Sequence, residues 1–149
     1  MPFIFVLLLV FAVSMGYLET SVAYYERIIL GISPSYNLNI LPKFLSEHLI
    51  IEQLREISTI LMLFAVGMLV GKSKIEKVAV FLFCFGVWDL SYYIFYYALI
   101  QWPTSLLTID LLFLVPVPWI APIILPITIS IIMVVWSTYV IIKKNKIKK

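Results

Sequence analysis

A chain of 149 residues that is 63% hydrophobic and 13% charged departs from ordinary soluble domains, which run at ~45–50% apolar and ~25% charged. A soluble fold of this length leaves much of its surface in water and cannot hide so much apolar area. The net charge of +3 gathers in the terminal lysines Lys143, Lys144, Lys146, Lys148 and Lys149. Directly after an apolar run, they read as an anchor beside anionic lipid headgroups, with no nucleic-acid partner.

The first apolar segment runs from about residue 3 to 30, long enough to span, since ~20 helical residues cross a bilayer core. Met1–Leu18 has neither a basic leader nor a small-residue cleavage site, so it is expected to be a retained span and not a signal peptide. Gly31–Pro42 holds Gly, Ser, Asn and Pro and is a predicted loop. Ser46 is the expected N-cap of the next helix, with Glu47 in its first turn.

The second span is predicted at about 48–70, closed by Gly71 and a short basic turn, and the third at about 78–100. The single cysteine, Cys84, falls inside the third and reads as a buried structural thiol. Residues 103–118 are apolar but too short to span, and Pro116-Val117-Pro118 breaks any helix there. They are expected to form a short interfacial or re-entrant helix followed by a rigid turn. The fourth span is predicted at about 119–142, with Pro122 and Pro126 in its first turns, where proline is tolerated. The expected fold is one all-α domain, residues 1–149, a four-helix transmembrane bundle with that segment before the last helix.

Lys72, Lys74 and Lys77 lie between spans two and three, and the five terminal lysines follow span four. An even number of spans puts both groups on one side. The positive-inside rule then places both termini in the cytoplasm, in the plasma membrane.

Ionisable residues occur well inside the spans. At 1.5 Å of rise per residue, Glu19 lies ~16 Å, Asp89 ~18 Å and Glu56 ~12 Å from the outer end of its helix. An isolated charge at mid-bilayer costs at least ~2.5–3.5 kcal/mol, so such groups face one another, a counter-charge or a cavity. His48, Glu52 and Glu56 follow i, i+4, i+8, and Thr59 continues the stripe. Asp89, Tyr93 and Tyr96 share a face of span three, with Tyr92 beside it. On span one, Glu19 and Glu26 lie near Ala12, Gly16 and Ala23, a small-residue stripe that lets helices approach closely. Tyr24, Tyr25 and Tyr97 read as part of an aromatic belt at the headgroups.

The candidate ligand or ion site is therefore Glu19, Glu52, Arg55, Glu56, Asp89, Tyr92 and Tyr93, with His48, Glu52 and Glu56 as candidate metal ligands. The competing reading is structural: Arg27 and Arg55 pair with the glutamates, and tyrosine hydroxyls satisfy Asp89. Asp110 is expected to be a solvated or capping residue unless its segment folds back as a lid. A di-iron bundle needs two Glu-x-x-His motifs, and the chain has one histidine and no such motif. That count also excludes bis-histidine haem ligation within the chain, and no cofactor is indicated.

The strings Gly86–Tyr97 (GVWDLSYYIFYY) and Trp102–Pro122 (WPTSLLTIDLLFLVPVPWIAP), with Leu54–Thr59, resemble a family of small bacterial and archaeal four-helix membrane proteins without an established activity. The resemblance covers spans two to four and part of span one. It implies four helices and a membrane address, and no catalytic residues. The expected function is a small multi-pass protein with an outward-facing, carboxylate-lined site for a cation or small ligand. A structural or assembly subunit working through partner helices or as a homo-oligomer, and a metal-dependent membrane enzyme, are the alternatives.

Overall fold

The computed structural model describes residues 2–30 and 41–147, with side chains described for 3–29 and 48–143. Four helices follow in order: α1 (Pro2–Leu30), α2 (Leu41–Val70), α3 (Lys74–Ile100) and α4 (Ile124–Ile147). Each contains a stretch of 20 to 27 residues long and apolar enough to cross a bilayer. The chain is a multi-pass membrane protein. Exposed Leu, Ile, Val and Phe side chains coat α1, α2 and α4, as lipid-facing helices require when the solvent is hydrocarbon.

Helix α3 is the hub, packing against each of the other three. Its start is set locally. Ser73 is an N-cap that accepts from the Glu76 backbone N–H, while the Glu76 carboxylate reaches back to the cap, a reciprocal capping box that satisfies otherwise orphaned donors. Its end is also local. Gln101 takes a left-handed conformation at φ 55° and its N–H donates to the Tyr97 carbonyl, turning the chain out of the helix. Between these caps, glycines let the neighbours come close. A Cβ on Gly16 of α1 would stand 2.9 Å from the Trp88 carbonyl oxygen, and one on Gly86 of α3 would stand 2.7 Å from the Ser130 carbonyl oxygen of α4. The Ala12–Gly16 stripe of α1 is thus used within the chain, against α3.

The two halves of the bundle are packed differently. Toward the Gly71 turn, Leu8, Ala12, Met15, Leu63, Val80, Phe83 and Cys84 form an apolar cluster. Toward the other end, Tyr93, Tyr96, Trp102 and Ile123 form a second. Over that second end lies an antiparallel hairpin, β1 (Ile109–Phe113) and β2 (Trp119–Pro122), with Asp110 opposite Ala121 and an irregularity between Leu111 and Phe113.

Three sequence expectations change here. Residues 103–118 do not form a short helix. They enter a hairpin whose turn holds Pro116 and Pro118, and paired strands satisfy backbone groups that a helix of a turn or two would leave open. Residues 119–122, expected to open the fourth span, are β2, so Pro122 ends a strand while Pro126 stays in the first turn of α4. Helix α2 begins at Leu41, which places Ser46 and Glu47 inside the helix and not at its start. Most of the predicted loop, residues 31–40, lies outside the described residues.

Candidate functional site

The hairpin is fastened to the helices by polar contacts. Gln53 Nε2 of α2 donates to the Leu114 carbonyl at 3.1 Å, and the Leu114 N–H donates to Glu56 at 2.9 Å. One residue of the hairpin turn is therefore gripped through both backbone groups by two side chains of one α2 turn. From α3, the Tyr93 hydroxyl donates to Asp110 Oδ2 at 3.2 Å, and Phe85 stacks on Phe113 with ring centroids 6.0 Å apart. The β1 strand thus lies across the ends of the polar stripes of α1, α2 and α3.

Beneath it is a cavity of about 90 Å³, lined by Glu19, Ala23, Arg55, Glu56, Trp88, Asp89, Tyr92, Tyr93, Asp110 and Leu111–Phe113. Glu19, Glu56 and Asp89, from three different helices, meet around this one space. Glu52 stands behind them. It accepts from Arg55 Nε at 2.8 Å, and Arg55 also pairs with Glu19 through Nη1, tying α1 to α2. Asp89 accepts from the Ser130 hydroxyl of α4 at 2.8 Å. The carboxyl groups are thus held by different donors: a guanidinium, a backbone N–H, a serine and a tyrosine.

Asp110 is 6% exposed. Burial pushes its carboxyl up to about 6, opposed by hydrogen bonds from Leu111 N–H and Tyr93 and by the charge of Arg27. Four carboxyl groups and one guanidinium line the cavity. Were all ionised, their negative charge would exceed the positive charge by three, in surroundings that solvate charge poorly.

Some expected partnerships differ. Arg27 places its guanidinium over the rings of Tyr96 and Trp102 at 4.9 and 4.8 Å, a cation–π arrangement that fixes the end of α1. Asp89 is satisfied by Ser130, and the tyrosine hydroxyl goes to Asp110. His48 does not line the cavity. Among the described residues, no group of three or more His, Cys, Asp or Glu side chains is close enough to hold a metal ion directly; Glu52 and Glu56 face different partners. Tyr97 is exposed.

Asp110, expected to be solvated or capping unless its segment folded back as a lid, is buried in the cavity wall because that segment does fold back over the helices. Two participants were not legible in the sequence. Ser130 and Gln53 gave no signal, since isolated serines and glutamines are common in helices. Trp88 also lines the cavity, beside Asp89.

The fold and site define a class: a small multi-pass membrane protein with a polar cavity between its helices and a hairpin cover. No family model, curated protein or solved structure matches the chain.

Proposed function

We propose that this protein binds a small cation in the carboxylate-lined cavity under the hairpin. One observation carries the reading: acidic side chains from α1, α2, α3 and β1 surround one space with Arg55 as the lining cation. Uncompensated carboxylates in a low-dielectric interior are costly and must be neutralised by protons or by a bound cation. The separate hydrogen-bond partners of Glu56, Asp89 and Asp110 hold these groups apart. That suits a loosely coordinated ion or cationic small ligand better than a tightly chelated metal, which needs several oxygens at ~2.0–2.6 Å.

The same reading places the cavity in the extracytoplasmic half of the plasma membrane, with both termini in the cytoplasm. It is supported by Lys72, Lys74, Lys77 and the terminal lysines on one side, and by the absence of Lys and Arg from residues 101–123 on the other. A reporter fused to the C-terminus that works only outside the cell should stay silent. Membership in the family of small four-helix prokaryotic proteins belongs to the same proposal, on the Gly86–Tyr97 and Trp102–Pro122 strings.

The test is direct cation binding to the purified protein in lipid nanodiscs by calorimetry, for the wild type and for a Glu56→Gln, Asp89→Asn double variant. The variant should bind at least ~10-fold more weakly, the equivalent of ~1.4 kcal/mol. Equal binding by the two proteins, or none by the wild type, would sink the reading.

A further inference from the structure

The hairpin is held unequally at its two ends. Its base is built into the bundle. The Ile123 N–H donates to the Thr108 carbonyl at 3.0 Å and the Ile124 N–H to the Leu106 carbonyl at 2.9 Å, so the two chain ends are tied together at the start of α4. Ile123 is fully buried, and Trp102 packs edge-to-face on Tyr96 of α3. Between base and tip, Asp110 meets Tyr93 and Phe113 stacks on Phe85. The tip is fastened to α2. Leu114 gives its N–H to Glu56, and its carbonyl accepts from Gln53. Helix α2 packs less extensively on α3 than α1 or α4 does. Apolar burial at one end and a few hydrogen bonds to the least embedded helix at the other are the parts of a hinge and a latch, because segments with few buried contacts open first. The buried Leu114 side chain favours the closed position.

Glu56 belongs to the latch and to the cavity alike. The Leu114 nitrogen stands 3.0 Å from its Oε1 and 2.9 Å from its Oε2, so the N–H lies in the fork between the two oxygens. That fork is the position of a cation held by both oxygens of one carboxylate. An N–H hydrogen and a cation both carry positive charge and exclude each other there.

We propose that Glu56 exchanges these two partners: without a cation it latches the hairpin tip through Leu114, and a cation entering its fork releases the tip, so that the hairpin is a lid coupled to occupancy of the cavity. This coupling rests on the cation-site reading above and supplies its regulation. It also has a sign. The cation binds the unlatched form, so its apparent affinity scales with the unlatched fraction. Whatever strengthens the latch weakens binding. Gln53 holds the latch and does not line the cavity, which makes it a positioning residue through which the latch can be altered without touching the site.

The experiment uses the full chain in nanodiscs, titrated calorimetrically with sodium, potassium and magnesium at constant ionic strength. Gln53→Met keeps the length of the side chain and removes its bond to Leu114. It should bind the preferred cation about fivefold tighter than the wild type, the worth of about one hydrogen bond. A residue that only supports the fold would leave affinity unchanged or lower it, and either result overturns the lid.

Amide hydrogen exchange of the wild type gives a second reading should the variant fold poorly. Saturation with the preferred cation should speed exchange at Leu114 by about fivefold, as one hydrogen bond is given up, and leave Ile123 at the base unchanged. Unchanged or slower exchange at Leu114 in protein that calorimetry shows to be saturated overturns the inference and leaves the cation reading standing. No binding of any of the three ions to the wild type overturns both.

Discussion

The half of the bundle near the Gly71 turn and the half under the hairpin are built from the same helices under different rules. In the turn half, Leu63, Phe83, Cys84 and Ala12 are nearly or fully buried and make an apolar cluster. Its specificity is shape. In the hairpin half, Arg55, Glu19 and Glu52 form an ion-pair network, Asp89 meets Ser130, and Asp110 meets Tyr93. Its specificity is charge and hydrogen-bond direction. The difference teaches that α3, whose buried face runs from Glu76 to Tyr96, carries two jobs. It is a packing spine at one end and a wall of a polar chamber at the other.

The strongest way to break this contrast is Arg55→Met. It leaves Glu19 and Glu52 without their shared cation; the network is partly buried, so the cost should fall toward the lower end of the ~3–5 kcal/mol typical of breaking a fully buried pair from one side. The expected result is a lower unfolding midpoint in detergent, with the loss partly recovered when Glu19→Gln is added. Loss without any recovery would mean that Arg55 contributes mainly through packing.

Leu63→Ala probes the opposite half. Leu63 is fully buried, and truncation of such a residue costs ~2–5 kcal/mol by lost burial and a residual cavity. The thermal midpoint should fall while cation affinity in the surviving folded fraction stays unchanged. A matching loss of affinity would show that the two halves are coupled and the division artificial.

The third effect is pH-dependent and belongs to the cover. Asp110 titrates at about 6 instead of 3.8, so the folded protein holds this proton where the unfolded chain has released it. Its contribution is therefore fully present below about pH 4 and is lost as pH rises through about 6, an effect of ~3 kcal/mol. The groups facing it are Tyr93 and Asp89 from α3 and Arg27 from α1. Backbone hydrogen exchange of Leu111 and Leu114 should accelerate as pH is raised across this window, beyond the intrinsic rate. Asp110→Asn should flatten that excess.

Much of the fold was legible because hydrocarbon is an undemanding reader. Four long apolar runs, a glycine turn and a lysine-rich end suffice when every spanning segment must satisfy its own backbone. The hairpin was not legible. Its residues alternate poorly, and its pairing is completed by Gln53 and Glu56, whose side chains lie some sixty positions earlier in the chain. Helix starts shifted for a similar reason: at α2 a strong cap signal at Ser46 was overridden by helix beginning at Leu41.

The sequence by itself determined the membrane as solvent, the four helices and the burden of acids carried into them, because these follow from composition and from a 3.6-residue period along single segments. Only the tertiary structure decided where those acids meet, that Asp110 and Trp88 join them, and which donor each receives. Side-chain convergence across helices depends on crossing and rotation about α3, set by close approaches such as Gly16 on Trp88 and Gly86 on Ser130, and no local pattern encodes that.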